Sequence, residues 1–301
     1  MVIEAVRTPD NQFDDLPDWP FKPNYIEGLT GYKQLRGHYV DEGPKDADRV
    51  FLCLHGEPSW AYLYRHMIPH FVDSGSRVVA PDFLGFGRSD KPVNTQDYSF
   101  HFHRNYLMRL IEALNLNNIT LVCQDWGGLI GLTIPMDMES RFSRLIIMNT
   151  ALAVGIPAGK GFNNWRDYVA NTIDIPVGSI MKRATPHLSD AEVAAYDAPF
   201  PDFKFKAGAR IFPSLVMTEP DMEGVKTSKR AAHFWSETWT GDSFMAIGMK
   251  DPVMSPPMMH QMKQLIKGCP DPLEIEDGGH FVQEWGNIIA PAALKHFGDI
   301  K

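Results

Sequence analysis

The chain has 301 residues, 44% hydrophobic and 22% charged, with a formal net charge of −8. That length can bury a large core, as one large domain or a main domain with an insertion. An acidic balance without a long basic run argues against nucleic-acid binding, which needs clustered Lys and Arg. No apolar run approaches a membrane span. The stretch from Met1 to Asp18 is polar and acidic, without the basic-then-apolar pattern of a leader, so a cytoplasmic protein is expected. Three cysteines, Cys53, Cys123 and Cys269, cannot all pair within one chain, and two fall in apolar runs, so reduced buried thiols are expected.

In chain order, Gly37-His38-Tyr39-Val40 reads as an early strand, with residues near 50–54 as a candidate hairpin partner. Val50-Phe51-Leu52-Cys53-Leu54 and Arg77-Val78-Val79-Ala80-Pro81 follow as buried strands. Further strand signals lie near 119–123, 144–148, 243–248 and 272–275. Helical patterns fit 60–74, 101–115, 127–138, 227–236, 257–267 and 284–298. Alternating strands and helices predict an α/β protein with a mostly parallel sheet flanked by helices. The alternation breaks over about 152–219, where helical fragments carry Phe162, Trp165, Tyr168, Tyr196, Phe200, Phe212 and Pro213. An insertion of that length between strands is expected to act as a lid, excluding water from the strand ends.

The most informative stretch is Gln124-Asp125-Trp126-Gly127-Gly128, directly after the run Ile119-Thr120-Leu121-Val122-Cys123. A strand entering small glycines and then a helix is the shape of a nucleophile elbow. The raised residue here is Asp125. A carboxylate, anionic at neutral pH, needs no base to attack a saturated carbon, and it leaves an ester behind. Trp126 adds an indole N–H, a donor without acceptor character, which suits an anionic leaving group.

His55-Gly56-Glu57-Pro58 follows a buried strand and is placed to supply an oxyanion-hole N–H. Asp251 follows the run Phe244-Met245-Ala246-Ile247-Gly248, and His280 follows Gly278-Gly279. Nucleophile, acid, histidine is the chain order of α/β-hydrolase triads. Each piece alone has an ordinary explanation as a turn or cap. Together they all sit at carboxyl ends of strands, where open α/β sheets bind ligands.

These segments, with Asp82-Phe83-Leu84-Gly85-Phe86-Gly87-Arg88-Ser89, make residues 50–299 resemble the haloalkane dehalogenases, in particular their first subfamily. The resemblance implies an α/β-hydrolase fold, with a core from 1–151 and 220–301 and a helical cap over 152–219, inserted after the sixth strand. It implies hydrolysis of haloalkanes to a primary alcohol, halide and a proton through an ester on Asp125. His280 would activate water and Asp251 would orient His280. Trp126 and Trp165 would bind the halide, and backbone N–H groups of Glu57 and Trp126 would receive the oxyanion. Phe162, Phe212, Pro213 and Val216 match cap positions that line the pocket, and Leu129 lines it where such relatives often carry Phe, a departure that bears on the pocket's shape. Related subfamilies place their acid after the strand that precedes the cap, but Asn149-Thr150-Ala151 has no carboxylate there, which favours Asp251. No metal or organic cofactor is expected. The expected partners are a small halogenated hydrocarbon, water and halide, with the protein acting as a single chain, without membrane or nucleic acid. The alternative is an epoxide hydrolase, which uses the same triad and holds the ring oxygen with two cap tyrosines, for which Tyr168 and Tyr196 are available.

Overall fold

The computed structural model describes residues 3–301. Eight strands form the main sheet: β1 (Asn24–Ile26), β2 (Gly37–Glu42), β3 (Val50–Leu54), β4 (Arg77–Pro81), β5 (Ile119–Cys123), β6 (Phe142–Met148), β7 (Asp242–Gly248) and β8 (Leu273–Ile275). Their order across the sheet is β1-β2-β4-β3-β5-β6-β7-β8. From β4 to β8 every pairing is parallel, whereas β1 and β2 join antiparallel at one edge. All five residues of β3 and all five of β5 are buried. That is the pattern of central parallel strands covered on both faces.

The hairpin expected between Gly37-His38-Tyr39-Val40 and residues near 50–54 does not form. The strand β2 pairs with β4 and with the short β1. Both edges of β3 are already taken by β4 and β5, so no ladder position remains for β2.

The helices of the core are α1 (Ile68–Asp73), α2 (Phe100–Ala113) and α3 (Asp125–Gly131) before the insertion. The helix expected over 60–74 splits into a 3-10 turn at Ala61–Tyr64 and α1, with Pro69 in the first turn of α1. Proline fits there because its missing N–H would have had no helical partner. Likewise α3 stops at Gly131, not near 138. Pro135 could not donate to the Gly131 carbonyl, and its ring would clash there.

Between β6 and β7 lie α4 (Lys160–Ala170), α5 (Val177–Ala184), α6 (Asp190–Asp197) and α7 (Ala207–Leu215), followed by α8 (Val225–His233). The chain then adds α9 (Pro256–Leu265) and α10 (Gly286–His296). A buried ion cluster ties α6 to the rest. Arg65 binds Glu284 through two nitrogens, at 2.6 and 2.8 Å, and Glu192 at 2.6 Å. The Tyr196 hydroxyl donates to Glu284. Cys53 and Cys123 are free and buried in adjacent strands, and Cys269 is free and half-buried. Among the described residues, no helix is long and apolar enough to cross a membrane.

Candidate active site

The elbow is built where β5 meets α3. Gln124 is extended and Asp125 has φ +48°, a left-handed conformation that costs a non-glycine residue about 1–2 kcal/mol. The turn persists because its surroundings hold it. Asp125 N–H donates to the Asn149 carbonyl at 3.0 Å, and the Thr150 hydroxyl donates to the Asp125 carbonyl at 2.7 Å. The two glycines allow close approach: a Cβ at Gly127 would lie 2.0 Å from the Leu54 carbonyl oxygen, and one at Gly128 2.2 Å from Thr150 Oγ1. The -Trp126-Gly127-Gly128- spacing therefore follows from the contact between α3 and the ends of β3 and β6.

Asp125 meets two other predicted residues directly and a third through His280. Its Oδ1 accepts from the backbone N–H of Glu57 at 2.8 Å. Its Oδ2 lies 3.3 Å from His280 Nε2, and His280 Nδ1 lies 2.7 Å from Asp251 Oδ2. The three side chains thus form a continuous Asp–His–Asp chain, drawn from the ends of β5 and β7 and from the loop after β8. Among the described residues, the backbone N–H of Trp126 makes no hydrogen bond.

Electrostatics follow from this packing. Burial disfavours the imidazolium of His280, but the charge of Asp251 and hydrogen bonds to both aspartates outweigh it, pushing its pKa up to about 10. Burial would raise Asp251, yet its carboxyl is held below the usual range by His280 and by the backbone N–H groups of Val253 and Met254. Those two bonds, at 2.7 and 3.0 Å, fix Oδ1.

Two residues complete the scaffold that sequence reasoning did not single out. Asn149 donates to Asp251 Oδ2 at 2.9 Å and accepts from the Gly248 N–H at 2.7 Å. Gln124 donates to the His280 carbonyl at 3.0 Å, pinning the histidine loop to the elbow. The only sequence signal for Asn149 was the missing carboxylate at that strand end. Asn149→Ala is expected to destabilise the protein by about 1–3 kcal/mol, the cost of unsatisfied buried partners. Urea unfolding measures it, and a change within error would leave Asn149 without a structural role.

A cavity of about 530 Å³ opens above this chain of side chains. Asp125, His280, Glu57, Trp126, Leu129, Phe162, Trp165, Pro213 and Val216 all line it. Phe212 does not, contrary to expectation. It is fully buried one layer back, with its ring centroid 4.6 Å from that of Trp126 and 4.7 Å from His103. Neighbouring positions on a helix point about 100° apart, so α7 can offer Pro213 to the cavity while Phe212 turns into the core. Tyr168 lines the cavity, but Tyr196 is buried against Glu284 and Arg65 and does not.

The indoles differ. Trp126 Nε1 has no acceptor among the described residues, whereas Trp165 Nε1 donates to Glu57 Oε2 at 3.2 Å. His66, Glu192 and Glu284 form the one cluster with metal-ligand spacing among the described residues. Arg65 already occupies both of its carboxylates, so the group does not fit a cation.

A strained acidic elbow, the histidine and acid behind it, and a sheet of this order define the class: the chain is an α/β hydrolase, and the alpha/beta hydrolase fold family matches it over residues 49–287. It is 44% identical to a haloalkane dehalogenase of Psychrobacter cryohalolentis, covering 99% of each chain. It is 40% identical to one of Mycolicibacterium paratuberculosis, covering 94% of each. Among solved structures it resembles haloalkane dehalogenase DpaA of Paraglaciecola agarilytica, described as tetrameric. There the TM-score is 0.97 at 52% identity, over 99% of this chain and 100% of the other. The chain belongs to the haloalkane dehalogenase family.

Proposed function

We propose that the protein hydrolyses haloalkanes to an alcohol, halide and a proton through a covalent ester on Asp125. The observation that carries this is a carboxylate on a strained elbow, sharing one cavity with an indole N–H that has no partner among the described residues. Asp125 Oδ1 is held by the Glu57 N–H, so Oδ2, whose one partner is His280 Nε2 at 3.3 Å, is the oxygen that attacks carbon in line with the leaving halogen. Trp126 and Trp165 donate to the departing halide, where donors aimed at developing charge are worth most.

The ester then has one fewer negative charge beside His280. The imidazole pKa must fall from its resting value of about 10, and the neutral ring becomes able to take a proton from water. Water attacks the ester carbonyl carbon, and the oxyanion forms on Oδ1, facing the backbone N–H groups of Glu57 and Trp126. Asp251 stabilises the imidazolium. Collapse releases the alcohol and restores the Asp125 carboxylate. Leu129, Phe162, Pro213 and Val216 shape the apolar cavity for the alkyl chain. Residues 152–219 act as the cap, excluding water from the nucleophile.

The epoxide-hydrolase alternative needs two hydroxyls over the electrophile. Tyr196 is engaged with Glu284, away from the cavity, which leaves Tyr168 alone. A panel of chloro-, bromo- and iodoalkanes, assayed by halide release and acidification beside styrene oxide, separates the readings. Halide release with an inert epoxide supports dehalogenation; the reverse overturns it. The tetrameric relative makes an assembly of copies the first state to test by light scattering, ahead of the single chain expected from the sequence.

Trp165→Phe is expected to weaken bromide binding by roughly tenfold or more, since it removes a hydrogen bond to a charged group and keeps most of the packing area. Quenching of tryptophan fluorescence by bromide reads this directly. Binding equal to the parent would make Trp165 a packing residue.

A further inference from the structure

Glu57 touches both halves of the chemistry. Its backbone N–H holds Asp125 Oδ1, and its side chain accepts the Trp165 N–H at 3.2 Å. The residue is buried, and its second carboxyl oxygen, Oε1, is buried without a hydrogen-bond partner among the described residues. A buried carboxyl with one oxygen satisfied and one orphaned is a weakly held acceptor. The charged groups facing it are Asp125 and His280, with Asp251 behind the imidazole. Burial and the charge of Asp125 push the Glu57 carboxyl well up, against the pull of Trp165 and His280.

We propose that Glu57 is a positioning residue for halide: its carboxyl holds the Trp165 N–H in the empty site, and a halide must take that bond over in order to bind. This rests on the reading of Trp165 as a halide donor. The exchange trades one hydrogen bond for another, so Trp165 contributes less to halide affinity than a free indole would. It also gives the leaving halide a competitor, because Glu57 recaptures the N–H as the anion departs. Trp126, with no acceptor to surrender, carries no such tax. One device would thus serve both stages: donors strong enough for the developing charge, and a product that is not held too tightly.

The test is bromide affinity, read by fluorescence quenching, in the parent, Glu57→Leu, Glu57→Gln, Trp165→Phe and the Glu57→Leu/Trp165→Phe double variant. Glu57→Leu removes the competing acceptor and is expected to tighten bromide binding by roughly three- to tenfold, the size of one exchanged hydrogen bond. Glu57→Gln keeps a carbonyl acceptor and is expected to stay near the parent. In the Trp165→Phe background the effect of Glu57→Leu should vanish, as a double-mutant cycle requires of groups that act through each other. Glu57→Met repeats the comparison if leucine disturbs the loop. Unchanged affinity in Glu57→Leu, with Trp165→Phe weakened, overturns the exchange and leaves the donor role of Trp165 intact. Tightening that persists without the Trp165 N–H shows a charge effect and also overturns it. Parent-like binding in Trp165→Phe removes the donor role and the exchange together.

Discussion

Asp125→Ala is expected to abolish halide release from haloalkanes, by on the order of 10⁴-fold or more, the scale seen when a catalytic nucleophile is removed. The reason is chemical. The proposed first step forms a carbon–oxygen bond to Asp125 Oδ2, and no other carboxylate in the cavity occupies an elbow. Asp251 is turned away behind His280, with its oxygens taken up by His280, Asn149, Val253 and Met254. Glu57 presents only its backbone to Asp125 Oδ1. Alanine keeps the Cβ and hence the left-handed strain at φ +48°, so the variant is not relieved of that cost. Circular dichroism should show the parent spectrum. Steady turnover in a folded Asp125→Ala protein would place the nucleophile elsewhere.

The second large effect is expected from His280→Gln. Attack by a carboxylate needs no base, but hydrolysis of the ester does. The variant should release about one halide per enzyme and then stall, the signature of a trapped covalent intermediate. Mass spectrometry should find the alkyl group on the peptide that contains Asp125. The charge balance supports the division of labour. In the resting site His280 lies between two aspartates and its pKa is pushed up to about 10, so at neutral pH it is cationic and no base. Alkylation of Asp125 removes one of those two charges. The rate of ester hydrolysis in the parent should therefore rise with pH through a value below about 10, while ester formation stays flat over the same window. Many turnovers without an adduct in His280→Gln would contradict the role.

The grouping of the site residues was legible because its motifs are local. A strand, one raised carboxylate and two glycines required by close approach are contiguous from Ile119 to Gly128, and the structure gives the reason for each glycine. Glu57 and Asp251 could be placed because each follows an apolar run, and His280 because it follows a glycine pair after a strand signal; a parallel sheet gathers such strand ends on one edge. What could not be read depends on register between distant segments. The pairing of β2 was missed because a five-residue apolar run does not say which neighbours already flank it. The part played by Asn149 needed the 2.9 Å approach of a residue 102 positions away. Phe212 was placed in the cavity by its match to a cap position. Whether an aromatic on a helix faces a pocket or the layer behind is set by that helix's rotation, which a single sequence leaves open. The bond between Trp165 and Glu57 spans 108 positions and has no sequence signature at all.

The central claim is that carbon is transferred to Asp125 and that water attacks the carboxyl carbon, not the alkyl carbon. A single turnover in ¹⁸O-water, with enzyme in excess over a bromoalkane, tests it most directly. The account predicts that the alcohol carries unlabelled oxygen, donated by Asp125, and that the label appears in the Asp125-containing peptide. Labelled alcohol in the first turnover, with an unlabelled peptide, would mean that water displaces the halide itself and would contradict the account.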